Sequence, residues 1–137
     1  MKNNECIKRV LIVEDEMIQA MVLENLLKKH GYEVVGKAQK GSDAIKLALE
    51  LVPDLITMDV SLMDQIDGIT AATKIQEIRS IPVIYITGNT DKYNFERAKK
   101  TYFFDILSKP VFSGKLISAI EKAAEIIANS EAPRTGS

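Results

Sequence analysis

Along this chain, short apolar runs alternate with longer stretches in which apolar residues recur every three or four positions. Val10 to Val13, Tyr32 to Ala38, Leu55 to Met58, Ile81 to Ile86 and Phe104 to Leu107 read as five strands. Helical faces are marked by Ile18, Met21, Val22 and Leu26, and then by Ala44, Ile45, Ala48, Leu51 and Val52. Ile69, Ala72, Ile75 and Ile78 mark a third, and Leu116, Ile117, Ile120, Ala124 and Ile127 the last. A fourth helix, about Asp91 to Lys100, has only Phe95 and Ala98 to anchor it, which makes it the easiest element to move. His30-Gly31 closes the first helix, Ser42 or Asp43 caps the second, Pro53 ends it, and Ser113 caps the last.

Five strands alternating with five helices through short connections imply right-handed βαβ crossovers and a central parallel sheet. The near-continuous apolar runs fit strands covered on both faces. In such a sheet the C-terminal strand ends converge on one crevice. Glu14-Asp15, Asp59, Thr87-Gly88 and Lys109-Pro110 all fall at such ends. At about 4 Å and an effective dielectric near 20, each pair of carboxylates repels by roughly 4 kcal/mol. Such a cluster must take up protons, separate, or recruit a cation. Mg²⁺ suits oxygen ligands of this kind, whereas no Cys/His spacing offers a zinc site.

Asp59 is the candidate nucleophile, since carboxylates form aspartyl-phosphate intermediates. Lys109 and a cation would neutralise charge on a transferred group, Thr87 would donate its hydroxyl, and Gly88 leaves room for approach. Taken singly, Glu14-Asp15-Glu16 also reads as acids opening a helix, and Lys109 as a surface lysine before a turn. The convergence of four strand ends favours a site.

Composition narrows the classes. At 137 residues, 46% hydrophobic and 27% charged, the chain fits one globular domain. A net charge of -1 argues against a general nucleic-acid binder. A single cysteine, Cys6, excludes an internal disulfide and fits a reducing compartment. No apolar run reaches the roughly 18–20 residues of a membrane span, so a cytoplasmic protein is expected. Residues 1–7 read as an N-terminal extension, 8–128 as the domain, and 129–137 as a tail that is disordered or was added in cloning. His30 reads as a helix-terminal histidine, the methionines at 17, 21, 58 and 63 as packing residues, and Cys6 as unactivated.

The motifs VLIVEDE, MDVSLMDQIDGI, IPVIYITGN and ILSKP, in this order over about Lys8 to Ala128, resemble the receiver domain of two-component response regulators. The resemblance implies a flavodoxin-like (βα)5 fold with strand order 2-1-3-4-5. It implies Asp59 as phosphoacceptor, Asp15 as a direct Mg²⁺ ligand, Glu14 assisting through water, and the Ser61 backbone carbonyl as a further ligand. Thr87 and Lys109 match the hydroxyl and lysine that bind the phosphoryl group, and a cis Lys109-Pro110 bond is implied. The implied partner is a histidine kinase or histidine phosphotransfer protein, with slow self-dephosphorylation afterwards. Output would pass to a protein through the fourth helix, fifth strand and fifth helix, with a homodimer on phosphorylation also open. Output to a protein is expected because no room remains for a DNA-binding module, and neither nucleic acid nor membrane is an expected partner.

One position and one loop depart from the family's pattern. Ile106 stands three residues before the lysine, where receivers usually carry a switch aromatic, so the usual route from Thr87 to the surface is left open. Leu62-Met63-Asp64-Gln65 replaces the common proline-glycine turn, as in receivers associated with multi-domain sensor kinases. Tyr102, Phe103 and Phe104 read equally as a partner surface or as packing at the sheet edge.

Other functions compete. A Mg²⁺-dependent phosphatase working through an aspartyl-phosphate would want a second acid two residues after Asp59, where Ser61 stands. A flavin module on the same fold would meet repulsion from Glu14-Asp15-Glu16 at the first strand end. A receiver-like scaffold with weak switching is kept in play by Ile106.

Overall fold

The computed structural model describes residues 6–62, 65–88 and 92–131. Its strands are β1 (Arg9–Val13), β2 (Glu33–Ala38), β3 (Leu55–Asp59), β4 (Val83–Thr87) and β5 (Phe103–Ser108). The helices are α1 (Met17–Lys29), α2 (Gly41–Leu51), α3 (Gly68–Gln76), α4 (Lys92–Ala98) and α5 (Ser113–Glu131). All strand pairs are parallel, in the order β2-β1-β3-β4-β5 that the resemblance implied. Val13 pairs with Met58, Asp59 with Ile86, and Thr87 with Ser108, which brings four strand ends level at one rim.

Side chains alternate across each strand, and the sheet divides the core in two. Val10, Ile12, Leu55, Ile84, Ile86 and Leu107 pack under α1 and α5. Leu11, Val13, Ile56, Met58, Val83 and Tyr85 pack under α2, α3 and Ala98 of α4. β1, β3 and β4 are buried almost throughout, while the edge strands β2 and β5 are partly exposed.

Several expectations need correction. The buried face of α1 is Ala20, Leu23 and Leu27, with Leu26 half-buried; Met17, Ile18, Met21 and Val22 face outward. Both stripes are apolar at helical spacing, and small Ala20 belongs to the one that meets the sheet. Met17 and Met21 are therefore not packing residues, unlike Met58. Ile78 lies beyond the end of α3 and is exposed, as is Phe95. α2 begins at Gly41, ahead of Ser42 and Asp43, with Lys40 at the N-cap; Gly41 lies against Ile66, where any side chain would collide with the Ile66 carbonyl. Ser113 is the first residue of α5 and does not precede it.

The domain limits also shift. Ile7 is a core residue, with Cys6 packed beside it, and α5 runs to Glu131, past residue 128. Met63, Asp64, Asp91 and the last six residues of the supposed tail lie outside the described residues. His30 caps α1, with its Nδ1 3.1 Å from the Leu26 carbonyl oxygen.

One buried polar atom stands out. Thr57 on β3 is fully buried between Ile12 and Ile84, and its hydroxyl has no hydrogen-bond partner. Thr57→Val keeps the shape and removes that hydroxyl, so it is expected to stabilise the fold by about 1–2 kcal/mol. A thermal melt checks this, and an unchanged or lowered midpoint would show that the hydroxyl finds a partner in solution.

Candidate functional site

The rim at the C-terminal ends of β1, β3, β4 and β5 gathers the predicted residues. Strand alternation puts Asp59 on the α1/α5 side of the sheet, together with Ile12, Leu55 and Ile86. Glu14 continues β1 by donating its backbone N–H to the Ala38 carbonyl at 2.9 Å, and it points to the same side. Lys109 extends β5 in the same manner, its N–H donating to the Thr87 carbonyl at 2.8 Å. The Lys109-Pro110 bond is cis, as the resemblance implied. Thr87 is buried at the end of β4 and by alternation faces the α3/α4 side, with Tyr85.

The Lys109 ammonium lies 3.0 Å from Asp59 Oδ2 and 3.5 Å from Glu14 Oε1 and Oε2. Glu14 and Asp59 are each only 1% exposed. The Ser61 N–H donates to Asp59 Oδ1 at 3.1 Å, and the Glu16 N–H donates to Glu14 Oε2 at 3.2 Å. Of the acids before α1, Glu14 accepts the N–H of the N-cap residue Glu16 and also faces the site, while none lies within the first turn of the helix. One carboxylate oxygen from each of Glu14, Asp15 and Asp59 lies within 4.8 Å of the others.

Burial, and then the charge of Asp59, raise Glu14 from an ordinary 4.5 to about 7. Burial also raises Asp59, with Lys109 opposing it. Burial alone would lower Lys109, but the two carboxylates outweigh it and hold the ammonium above its usual range. One lysine is thus too little positive charge for these acids. Three hard oxygen donors within reach of a single ion match Mg²⁺.

Sequence reasoning missed the loop's support. Asp67 is the N-cap of α3, accepting from the Thr70 N–H at 2.8 Å. Arg97 of α4 grips the same carboxylate with both terminal nitrogens, at 2.7 and 3.0 Å. Burial pushes Asp67 up, yet the hydrogen bonds from Arg97 and Thr70 prevail and hold it below the usual carboxylate range. The Asp67-x-x-Thr70 spacing signals the cap, but nothing local signals a partner 30 residues away.

Residues 10–121 match the family described as response regulator receiver domain. The chain belongs to that family. Transcriptional regulatory protein PdtaR of Mycobacterium tuberculosis is 41% identical over 116 residues, covering 85% of this chain and 56% of that protein. The receiver thus spans little more than half the length of that relative. Chemotaxis protein CheY of Thermotoga maritima is 33% identical over 119 residues, covering 86% of this chain and 98% of CheY. The solved signal receiver domain of a modulated diguanylate cyclase from Desulfovibrio desulfuricans G20 superposes with a TM-score of 0.84 at 34% identity. That match covers 91% of the receiver and 99% of the solved chain. The flavodoxin-like fold and the two-component assignment are therefore settled. Phosphorylation on aspartate is general to the family, and receiver domains bind Mg²⁺ at the acidic pocket. Among the described residues, no helix is long and apolar enough to cross a membrane.

Proposed function

We propose that Asp59 accepts a phosphoryl group from a phosphohistidine on a histidine kinase or phosphotransfer protein. The observation that carries this reading is the buried Asp59 carboxylate, 3.0 Å from the Lys109 ammonium and within one cation's reach of Glu14 and Asp15. In the transfer, the donor's N–P bond breaks and an O–P bond to Asp59 forms. The leaving imidazole nitrogen keeps the bonding pair. Lys109 offsets charge on the transferred oxygens, and Thr87 donates its hydroxyl to them.

Asp15, Asp59 and the Ser61 carbonyl would hold Mg²⁺ directly, with Glu14 acting through water. When bound, the ion supplies the positive charge that Lys109 alone does not. Burial of Asp59 keeps bulk water from the acyl phosphate, which favours slow self-hydrolysis over enzymatic turnover.

Output to a protein partner is assigned to the face of α4, β5 and α5. Exposed aromatics lie on or beside these elements, Tyr93 and Phe95 in α4, Tyr102 just before β5 and Phe112 just before α5, and a groove of about 600 Å³ runs along β5 and α5 beside Lys115 and Lys122. Phe103 and Phe104 pack inward on opposite sides of the sheet, while Tyr102 stays exposed, so the three aromatics divide between packing and surface.

Incubation with Mg²⁺ and a small phosphodonor, followed by intact-mass measurement, tests the phosphoacceptor. Wild type should gain the mass of one phosphoryl group, and Asp59→Asn should gain none. Uptake by the Asp59→Asn variant equal to that of wild type would sink the assignment. Rapid steady-state hydrolysis of phosphate esters would favour a dedicated phosphatase instead.

A further inference from the structure

With Ile106 in place of a switch aromatic, the contacts that hold α4 become the question. Ala98 is the one buried side chain among those described in α4, and Tyr93 is 71% exposed. Polar contacts do the rest. Arg97 forks onto Asp67 and also donates to Thr70 Oγ1 at 3.1 Å and Asn94 Oδ1 at 3.1 Å. Just past the helix, Thr101 Oγ1 lies 2.8 Å from the hydroxyl of buried Tyr85.

The Arg97 fork leads directly back to the phosphoacceptor. Asp67 is followed by Gly68, whose N–H donates to the Val60 carbonyl at 2.9 Å. Gly68 sits so close to β3 that a Cβ there would lie 2.1 Å from the Asp59 carbonyl oxygen. Arg97, Asp67, Gly68 and Asp59 therefore form one contiguous series of contacts, 38 residues apart along the chain from Asp59 to Arg97.

We infer that Arg97 is a positioning residue for Asp59, holding the N-terminus of α3 against the phosphoacceptor backbone from the helix that carries the exposed aromatic surface. The inference rests on the reading of Asp59 as phosphoacceptor. Because coupling free energies between two sites are reciprocal at equilibrium, a partner that favours one seating of α4 shifts the equilibrium loading of Asp59, and that loading shifts the seating of α4. This route needs no aromatic at position 106. An ion pair that was merely structural would lower the unfolding midpoint and leave transfer to the folded protein untouched.

The test uses Arg97→Gln, Asp67→Asn and the double variant; asparagine retains an N-cap acceptor for Thr70. The limiting phosphorylation rate is measured with a saturating small phosphodonor and Mg²⁺, well below every unfolding midpoint. Each single variant should lower that rate by about fivefold or more, with the half-saturating donor concentration unchanged and the double variant no slower than the slower single. Hydrogen exchange across residues 92–98 should change when wild type is loaded with beryllofluoride and Mg²⁺, and not in the Asp67→Asn protein. Three results would overturn the inference: limiting rates within about twofold of wild type, multiplicative losses in the double variant, or wild-type α4 exchange indifferent to beryllofluoride. A wild type that takes up no phosphoryl group would sink the reading of Asp59 itself, and the inference with it.

Discussion

Metal-free protein carrying Lys109→Met is expected to unfold at a much lower denaturant concentration than the parent near pH 8, and to recover much of the deficit at about pH 5.5. Lys109 is the cation beside two carboxylates that are each 1% exposed. Removing one partner of such a buried set typically costs about 3–5 kcal/mol. The pH dependence follows from Glu14, raised from 4.5 to about 7 by burial and by Asp59. Between those values the folded chain holds a proton that the unfolded chain has released. The stability tied to that proton is complete below the unfolded value and is lost as pH rises through the folded one.

Without the lysine both carboxylates shift further upward, so the deficit widens with pH. Lys109 is itself held above its ordinary 10.5, so its own titration lies in the alkaline range, outside this window. Mg²⁺ should restore stability, by an amount that rises with the logarithm of its free concentration above its dissociation constant. Denaturant midpoints at the two pH values, with and without Mg²⁺, measure this. Equal deficits at both pH values would show that the buried acids do not drive the effect.

Gly68→Ala should cost about 3 kcal/mol or more and strip Asp59 of phosphoryl uptake. The added methyl would meet the Asp59 carbonyl oxygen at 2.1 Å, its carbon at 2.9 Å and Met58 Cγ at 2.9 Å. The first two are backbone atoms of a strand paired on both sides, by β1 and β4, and they have nowhere to go. Gly114→Ala is the control, since nothing lies within 4 Å of a Cβ there. In the first turn of α5 it should be neutral or stabilising by up to about 1 kcal/mol. A urea titration and a phosphorylation assay on both proteins separate the cases. Parental uptake by Gly68→Ala would mean that α3 is free to back away from Asp59.

Much of this was legible in the sequence because strand ends are marked by chemistry. Val10 to Val13 and Leu55 to Met58 are too continuously apolar to be half-exposed, and each is followed at once by acids. The order of the sheet and the gathering of Glu14, Asp15, Asp59 and Lys109 follow from that alternation together with the motifs. The phase of α1 was not legible. Large residues at 18, 21 and 22 outweigh Ala20 in any count of hydrophobicity, yet close packing on a sheet rewards the small side chain. Ile78 misled for a related reason, since it keeps the period of α3 but falls past its last turn. The grip of Arg97 on Asp67 joins residues with no local pattern between them, so only the folded chain discloses it.

The division of the core by the sheet has a consequence for combining mutations. Leu116 and Ile120 on one side and Ile75 and Ala72 on the other belong to separate clusters. Sites that share no partners have additive effects on stability to within about 0.5 kcal/mol, so paired truncations across the sheet should simply sum. At the rim that independence ends. Asp59 and Lys109 face one layer and Thr87 the other, so on the proposed reading a phosphoryl group on Asp59 would touch side chains from both. Two halves that are energetically separate in the resting molecule would share one covalent load, and mutations that ignore each other before phosphorylation would cease to do so after it.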